Sequence, residues 1–325
     1  MCTAISFKTK DHYFGRTLDL EYHYNESVVV TPRKFPFSFS DKSESNSHLA
    51  LIGIATVIDS YPLYYEATNE SGLSMAGLNF PGNAVFFPID ENKKNIAPFE
   101  FIPFILTQCK NVDEAKTLLK NINLADIDFR PDLKASPLHW IISDKSESIT
   151  VESVRDGLKI YDNPIGVLTN NPPFDWQMTN LANYINLTAE EPKNTFAPSA
   201  DIRTFSKGMG AVGLPGDLSS VSRFVRVAFT KLNSVCGDSE DESVSQFFHI
   251  LGTVEHTKGC VHLGNGKYEI TVYTSCCNTD KGIFYYTTYE NPQISAVNMH
   301  KENLDSNTLY IYPLEHKSQI NTINF

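Results

Sequence analysis

Cys2 stands directly behind Met1, and this placement permits chemistry that an internal cysteine cannot perform. Removal of Met1 would leave one residue carrying both a thiol and a free α-amine. The thiolate is the nucleophilic form of cysteine, and an α-amine titrates at about 7.7–8.0. One residue can therefore supply nucleophile and base, and the amine can later protonate a leaving amide nitrogen. The simpler alternative, which position alone favours, is a small buried residue at a strand start.

A second candidate group lies in residues 13–22 (YFGRTLDLEY), which alternate as a strand does. A predicted turn at residues 8–12 folds this strand back beside Cys2, so that Arg16 can approach the sulfur and favour its thiolate form. Asp19 could hold the α-ammonium, but strict alternation places it on the face opposite Arg16. A β-bulge, or an approach from the strand end and edge, would bring both to one site. Taken alone, such a pair is usually a surface ion pair.

The elements predicted around these groups are mostly strands, with two helical regions between them. Asn111 is the predicted N-cap of one helix, with Glu114 as its acidic partner. Alternating or apolar runs bounded by turn residues predict strands at 3–7, 13–22, 26–33, 48–58, 61–70, 72–80, 138–144, 148–154, 158–163, 166–170, 267–277 and 283–290. Apolar periodicity predicts helices at 98–109, 115–122, 219–232 and 243–255. This order suggests a layered α+β fold with two antiparallel sheets face to face, in one domain over residues 1–325.

The composition and charge of the chain exclude some classes of partner and location. The chain of 325 residues has a net charge of −11 and no run of lysine and arginine, which disfavours nucleic acid and anionic lipid as partners. The N-terminus lacks a targeting pattern, and the longest uncharged apolar run, Leu49–Ile58, is half of the roughly 20 residues that span a membrane. We therefore expect a cytoplasmic protein without membrane insertion. Six cysteines without CxxC spacing and nine histidines without an HxxxH or HExxH pair indicate reduced thiols and no metal site.

Seven spaced segments carry a resemblance to a known family. They are residues 1–4 (MCTA), 14–19 (FGRTLD), 69–70 (NE), 76–80 (AGLNF), 138–140 (LHW), 167–170 (VLTN) and 213–224 (GLPGDLSSVSRF). In this order they resemble the choloylglycine hydrolase family, and within it the bile salt hydrolases of gut bacteria, from residue 1 to about residue 312. The resemblance implies a four-layer αββα sandwich of the N-terminal-nucleophile hydrolase type. It also implies cleavage of the amide that joins glycine or taurine to a bile acid.

The same resemblance implies catalytic roles for six residues. They are Cys2 as nucleophile, Arg16 and Asp19 as the groups that tune and orient it, Asn79 and Asn170 as oxyanion donors through a backbone N–H and a side-chain amide, and Arg223 as a further active-site arginine. Fixed N–H donors stabilise the negative charge that nucleophilic attack places on an amide oxygen. Without the resemblance, Asn79 and Asn170 would be interpreted as turn residues beside prolines, and Arg223 as a solvated helix residue. Of the adjacent asparagines, Asn170 matches the motif and Asn171 is a loop residue.

Substrate contacts, assembly and cofactors are also implied by resemblance. Six apolar or aromatic positions resemble substrate-contacting positions, although ordinary packing explains each equally well: Leu18, Tyr24, Ile58, Tyr65, Phe129 and Leu133. The long segment 186–217 resembles the one through which relatives form homotetramers. No cofactor is implied, because nucleophile, base and oxyanion donors are all protein groups. Two alternatives stay open: a penicillin V acylase, although those tend to carry tyrosine at the position of Asn79, and a steroid-binding protein without catalysis.

Overall fold

The structure, a computed structural model, describes residues 1–324 and follows the predicted order of strands and helices. The strands, numbered in chain order, are β1 (Cys2–Lys8), β2 (His12–Leu20), β3 (Ser27–Thr31), β4 (Phe37–Ser38), β5 (Glu44–Ser45), β6 (Leu51–Ile58), β7 (Tyr61–Asn69), β8 (Ser74–Asn79), β9 (Lys94–Ile96), β10 (Ile122–Leu124), β11 (Leu138–Ser143), β12 (Ser148–Val154), β13 (Gly157–Asp162), β14 (Val167–Leu168), β15 (His262–Gly264), β16 (Lys267–Tyr268), β17 (Ile270–Asn278), β18 (Ile283–Thr288), β19 (Ser295–Asn298) and β20 (Tyr310–Pro313). The α-helices are α1 (Phe101–Gln108), α2 (Val112–Leu119), α3 (Phe174–Asn180), α4 (Ser220–Asn233) and α5 (Glu240–Gly252).

Two large sheets organise the molecule. The first has the strand order β14-β1-β2-β17-β18-β19, and the second has the order β13-β12-β11-β8-β7-β6-β3-β20. Neighbouring strands are antiparallel throughout both sheets. Short ribbons pair β4 with β5, β9 with β10 and β15 with β16.

The two sheets form the middle of a four-layer sandwich. Helix α1 packs on β6, β7 and β8 of the second sheet, whereas α4 and α5 pack on β1, β2, β14 and β17 of the first. One apolar cluster joins side chains from both sheets with those of α4 and α5, and a second cluster lies between the second sheet and α1 and α2. The predicted α+β sandwich with two antiparallel sheets face to face is therefore confirmed.

Helix ends follow the capping rules, with small shifts from the predicted bounds. Asn111 accepts a hydrogen bond from the Glu114 N–H as predicted. Helix α5 begins three residues earlier than predicted, because Ser239 and Glu242 form a capping box ahead of it. None of the helices described combines the length and the apolar composition that a bilayer crossing requires.

The predicted strand 267–277 is interrupted in the structure. Lys267 and Tyr268 pair with β15 in a separate ribbon, and β17 begins only at Ile270. Between them, Glu269 is buried and faces the chain's N-terminus. An alternating pattern alone does not reveal such a break, because the group that Glu269 contacts comes from the other end of the chain.

Candidate active site

The hairpin of β1 and β2 places Cys2 among the predicted partners. Cys2 lies opposite Leu18, and Ala4 lies opposite Arg16, so these four side chains share the face that looks toward the second sheet. Thr3 and the residues in register with it occupy the other face, toward α4 and α5. Cys2 is 3% exposed. The predicted turn at residues 8–12 and the approach of Arg16 to Cys2 agree with this register.

The Arg16 side chain extends from the first sheet to the second, where it reaches β7 and β8. Its Nη1 donates to the carbonyl oxygens of Gly77 at 2.5 Å and Tyr65 at 3.2 Å. These carbonyls are free to accept because the pairing of β6 with β7 shifts register between Ile54 and Ala55, leaving Tyr65 as the extra residue of a bulge. The bulge in β7 therefore creates the acceptors that hold the guanidinium beside the β1–β2 hairpin.

Buried charges surround the Arg16 guanidinium. Burial disfavours its charge, but the attraction of Cys2, followed by Tyr273 and Glu66, outweighs burial and raises the pKa of Arg16. Glu66 Oε2 lies 3.9 Å from Arg16 Nε. Burial raises the pKa of Glu66 to about 7, against the opposing effects of Arg16 and of hydrogen bonds from Tyr273 and Ser275. Arg16 is thus a permanent cation that is attracted to Cys2, Tyr273 and Glu66.

Asp19 occupies the opposite face from Arg16, as strand alternation predicts. Its Oδ1 accepts from Thr271 Oγ1 at 2.7 Å and its Oδ2 accepts from Thr17 Oγ1 at 3.1 Å. The bulge considered for β2 occurs instead in β17, where Asp19 pairs with Thr271 and Leu18 pairs with Tyr273. The bulge lets Thr271 face Asp19. Arg16 and Asp19 therefore flank Cys2 from the two faces of the hairpin rather than sharing one.

The N-terminus lies at the end of this hairpin. The Met1 ammonium contacts Glu269 and donates to the Asp19 carbonyl oxygen at 2.6 Å, while the Asp19 N–H donates to Met1 O at 2.9 Å. With Met1 in place, the Cys2 nitrogen is a peptide nitrogen, and it donates to Asn170 Oδ1 at 2.9 Å. The position of this nitrogen is the one that an α-amine on Cys2 would occupy.

Asn170 is oriented by Arg223. Arg223 Nη2 donates to Asn170 Oδ1 at 2.7 Å, and its Nη1 donates to the Cys2 carbonyl oxygen at 2.5 Å and to Thr3 Oγ1 at 2.6 Å. Because an arginine can only donate, the oxygen of the Asn170 amide must face it, and the amide nitrogen must face away. Asn170 Nδ2 accordingly donates to the Asn79 carbonyl oxygen at 2.8 Å, which leaves its second N–H available.

The backbone of Asn79 points to the same place. Phe80 N donates to Pro137 O across the β8–β11 pair, so the peptide groups of Phe80 face β11. The N–H and C=O of the preceding Asn79 then face away from β11, toward Asn170. Strand β7 pairs with β8 only over Glu66–Thr68, so within residues 1–324 no strand covers this edge of Asn79. The Asn79 N–H and the Asn170 amide nitrogen therefore lie on the same edge of β8.

Helix α4 supplies Arg223 from its first turn. Ser219 is the N-cap of this helix, and Ser220 Oγ accepts from the Asn170 N–H at 2.8 Å. Burial lowers the pKa of Arg223, against the attraction of Asp19 and then Cys2. Arg223 is fully buried. The interpretation as a solvated helix arginine is therefore excluded.

Several residues that contact the site were not among the predicted site residues. His139 donates from Nε2 to the Thr169 carbonyl oxygen at 2.9 Å, with its Nδ1 2.9 Å from Glu152 Oε1, and so supports the residue preceding Asn170. His256 is buried 3.9 Å from Asp19 Oδ2, and burial lowers its pKa to about 4. The LHW motif was the one signal in the sequence that pointed to His139. Nothing local marked Glu66, Thr271 or His256.

The six predicted substrate positions fall into two groups. Near Arg16, the Tyr65 hydroxyl hydrogen-bonds with Thr56 Oγ1 at 2.9 Å, and Thr56 Oγ1 donates to the Tyr24 carbonyl oxygen at 2.9 Å. Leu18 joins this group through its pairing with Cys2. Farther out, Arg130 Nη1 pairs with Asp59 Oδ2 at 3.2 Å and thereby fastens the loop around residue 130 to the β6–β7 turn. This outer group contains Ile58 at the end of β6, Phe129, which packs on Tyr61 and Phe99, and Leu133, which pairs with Arg130.

The sandwich and the site together define an amidase of the N-terminal-nucleophile hydrolase class. More specifically, the chain belongs to the choloylglycine hydrolase family, whose sequence profile, described as linear amide C–N hydrolases, matches residues 2–312. The chain is 53% identical over 324 residues to a bile salt hydrolase/transferase of Lactiplantibacillus plantarum, with 100% of both chains covered.

Solved structures agree with this assignment. The chain matches the crystal structure of the C2A mutant of conjugated bile acid hydrolase from Clostridium perfringens with a TM-score of 0.92 and 40% identity, covering 100% of each chain. Penicillin V acylase from Agrobacterium tumefaciens matches with a TM-score of 0.74 and 18% identity, covering 95% of this chain and 90% of the acylase. The second similarity concerns the fold alone.

Proposed function

We propose that this amidase hydrolyses conjugated bile salts, releasing glycine or taurine from the bile acid. One observation carries the proposal: Asn170 holds the Cys2 nitrogen with its amide oxygen while presenting an N–H beside Asn79. This arrangement supports roles for Cys2 as nucleophile and base and for Asn79 and Asn170 as oxyanion donors. The choice of bile salts as substrates rests on the full-length similarity to proteins named bile salt hydrolase and conjugated bile acid hydrolase.

The first chemical step forms a thioester. Cys2 Sγ attacks the amide carbonyl carbon, and the α-amine of the same residue takes up the thiol proton. The carbonyl oxygen becomes negatively charged and is stabilised by the Asn79 N–H and the free N–H of Asn170 Nδ2. The C–N bond then breaks as the α-ammonium returns the proton to the leaving nitrogen, which departs as glycine or taurine. Arg16 supports the attack because its charge favours the thiolate.

The second step reverses these roles with water. The α-amine accepts a proton from the attacking water, and the same two N–H groups stabilise the second oxyanion. Collapse of the intermediate breaks the C–S bond, releases the free bile acid and returns the proton to sulfur. Every group in the cycle is a protein group, so the proposal includes no cofactor.

This mechanism requires the removal of Met1. While Met1 is present, the Cys2 nitrogen belongs to a peptide bond and cannot act as a base. Met1 is partly exposed at the end of β1, and the Asn170 acceptor is already in place for the new α-amine. We expect fully active protein to have the mass of the chain without Met1. Full activity in protein that retains Met1 by intact mass spectrometry would contradict the mechanism.

Substitution of the nucleophile tests the function directly. Cys2→Ala should abolish hydrolysis of glycocholate and taurocholate, because it removes the sulfur but keeps the α-amine. Cys260→Ala is the matched control, since Cys260 is an exposed free cysteine, and it should retain full activity. Undiminished turnover by Cys2→Ala would refute the proposal. Penicillin V assayed beside glycocholate tests the substrate class, and a higher kcat/KM for penicillin V would favour the acylase alternative.

We further propose that the chain assembles as a homotetramer. The supporting observation is a set of apolar side chains in and beside the segment 186–217 that are exposed in the single chain: Ile185, Phe196, Ile202, Phe205 and Val212. Contiguous exposed apolar surface is typical of interaction sites. Sedimentation equilibrium of the purified chain tests this assembly, and Phe196→Ser with Phe205→Ser should weaken it. A purely monomeric protein at assay concentration would contradict the proposal.

We also infer that the protein works in the cytoplasm. Its six cysteines are free thiols, including the adjacent pair Cys276 and Cys277. Reducing compartments preserve free thiols, and the proposed nucleophile must stay reduced. Fractionation of the source cells tests this, and recovery of the activity only outside the cytoplasm would contradict it.

A further inference from the structure

Two histidines and a glutamate from distant parts of the chain meet on the surface near the loop after β2. His23 Nε2 lies 3.3 Å from Glu290 Oε1, and His316 Nδ1 lies 3.2 Å from Glu290 Oε2. The two imidazole rings are 4.4 Å apart. His23 follows β2, Glu290 follows β18, and His316 follows β20. Because the three residues come from separate segments, no sequence spacing such as HxxxH could reveal them.

The donor set is one that transition metals prefer. Two imidazole nitrogens and one carboxylate oxygen are common ligands of Zn²⁺, with bonds of about 2.0–2.2 Å. In a tetrahedral site, bonds of this length separate neighbouring ligand atoms by roughly 3.3 Å. Each histidine nitrogen lies at about this separation from one of the two Glu290 oxygens, His23 Nε2 from Oε1 and His316 Nδ1 from Oε2. One potential ligand atom from each of the three residues lies within 4.8 Å of the others, so a small closure of the cluster would bring them to ligand spacing. The histidines are partly exposed and Glu290 is exposed, so a fourth position is open to water.

Glu26 gives a second, independent observation. Its Oε2 lies 3.7 Å from His23 Nδ1, and within residues 1–324 neither atom has a hydrogen-bond partner although both are buried. A carboxylate that accepts from the second ring nitrogen of a ligating histidine is the usual outer partner at zinc sites. A small rotation of the His23 ring would close this hydrogen bond while Nε2 faces a metal ion. Glu26 therefore lies beside the second ring nitrogen of His23, where the outer partner of a ligating histidine would lie.

The backbone around the other two ligands is held in place. Thr288 Oγ1 donates to the Glu315 carbonyl oxygen at 2.9 Å, and the Glu315 N–H donates to the Tyr286 hydroxyl at 3.2 Å. These bonds fasten the residue before His316 to the strand that leads to Glu290. Two of the three ligands are thus already positioned without a metal ion.

We propose that His23, Glu290 and His316 form a binding site for a divalent transition-metal ion of the Zn²⁺ type, with Glu26 as the outer partner of His23. The site is separate from Cys2 and does not depend on the function proposed above. A bound ion joins the loop at residues 21–26 to the C-terminal segment. The loop also carries Tyr24, whose N–H donates to Glu26 Oε1 at 2.9 Å. The ion would therefore restrain that loop and stabilise the folded chain.

Calorimetric titration with Zn²⁺ tests the site. The parent protein for the test is the full chain with Cys2→Ala, which removes the proposed catalytic thiol as a competing ligand. His316→Gln and Glu290→Gln are made in this parent, and His249→Gln is the matched control because His249 is exposed on α5, away from the cluster. Circular dichroism without metal checks that each variant is folded. The unfolding midpoint with and without Zn²⁺ provides a second readout.

The expected result is one Zn²⁺ per chain in the parent and in His249→Gln, with a rise in unfolding midpoint on loading. In His316→Gln and Glu290→Gln the affinity should fall by about 100-fold or more, since loss even of an outer partner costs 10- to 100-fold. No binding to the parent would overturn the proposal. Equal binding by all four proteins would also overturn it, because the ion would then occupy a remaining thiol or another surface group.

Discussion

Arg223 and Asn170 are joined by a hydrogen bond of 2.7 Å that decides which way the Asn170 amide faces. The guanidinium has no acceptor, so it admits only the oxygen of the amide. The nitrogen of the amide is thereby directed toward Asn79. Arg223 is consequently a positioning residue in the proposed mechanism, because it acts on the oxyanion through Asn170.

Replacing Arg223 should lower kcat much more than it changes KM. Arg223→Gln keeps a polar side chain but can present either end of its amide to Asn170, so the Asn170 donor loses its fixed direction. The loss of one oxyanion donor reduces kcat by about 10²- to 10³-fold, and we expect a reduction at the lower end of that range for glycocholate. Arg223→Lys keeps the charge but not the planar fork and should also be impaired.

Arg226→Lys is the control for this prediction. Arg226 lies on the same helix, and its Nη1 donates to the carbonyl oxygens of Pro215 and Asp217 rather than to the site. Its kcat should stay near that of the unmodified protein. An Arg223→Gln variant with unaltered kcat would show that Asn170 keeps its orientation without the arginine.

Local patterns in the sequence were sufficient to predict the β1–β2 hairpin and the opposite faces of Arg16 and Asp19. Both follow from two-residue alternation and a short turn, which are properties of neighbouring residues. The bulge in β17 was not predictable, because its alternating residues are compatible with a regular strand. Its position depends on how β2 and β17 pair across the sheet. The contact of Arg16 with the Gly77 carbonyl likewise depends on packing between sheets.

The family resemblance supplied what local patterns could not. The resemblance groups Asn170 and Arg223 with Cys2, although the three are distant in the sequence, and the structure brings them into contact. The resemblance does not explain why these three residues belong together. The explanation is that the Arg223 guanidinium can only donate hydrogen bonds, and it donates them to both Asn170 and Cys2. Supporting residues outside the seven segments, such as Thr271, carry no signal of this kind, because the partner that gives Thr271 its place, Asp19, lies far away in the sequence.

Arg16→Gln should slow the alkylation of Cys2. Arg16 supplies a fixed positive charge that attracts Cys2, and this charge should stabilise the negative sulfur that attacks the reagent, so we expect its removal to slow the reaction by about 10-fold or more. The measurement is the rate of modification of the Cys2 peptide by iodoacetamide at pH 7, followed by mass spectrometry in protein lacking Met1. Arg33→Gln serves as the control, since it also removes a positive charge, but Arg33 pairs with Glu70. Equal rates for Arg16→Gln and the unmodified protein would contradict the assigned role.

Two buried histidines should contribute less to the stability of the fold as the pH drops from about 6.5 to 4. Burial lowers the pKa of His12 to about 4 and that of His256 to about 4, from an ordinary value of 6.5. In this window each of these histidines binds more protons in the unfolded chain than in the folded chain, so its contribution to the free energy of unfolding decreases with acidification. Glu66 makes the opposite contribution. Its pKa is raised from 4.5 to about 7 in the folded chain, so acidification between pH 7 and pH 4.5 stabilises the fold through this residue.

A His12→Gln variant isolates one of these contributions. Both proteins retain Glu66 and His256, so the difference between their pH profiles reports His12 alone. We expect the unmodified protein to lose up to about 3 kcal/mol more than the variant between pH 7 and pH 4, as a pKa difference of this size implies. Urea unfolding at a series of pH values measures this difference. Parallel profiles would mean that His12 has the same pKa in the folded and unfolded chains.

Thr271→Val should reduce kcat by about 10-fold, because Thr271 Oγ1 is the group that fixes Asp19 Oδ1 at 2.7 Å. Without this donor a buried carboxylate oxygen is left unpaired, at a cost of about 1–3 kcal/mol, and the Asp19 side chain loses its fixed orientation. Thr274→Val is a matched control on the same strand, since Thr274 Oγ1 donates to Glu255 at 2.9 Å. Both variants lose one hydrogen bond to a carboxylate, and Thr271→Val also removes the acceptor of the His256 N–H, so both should be less stable to urea. A selective loss of kcat in Thr271→Val would report the orientation of Asp19, and an equal kcat in the two variants would contradict the need for that orientation in turnover.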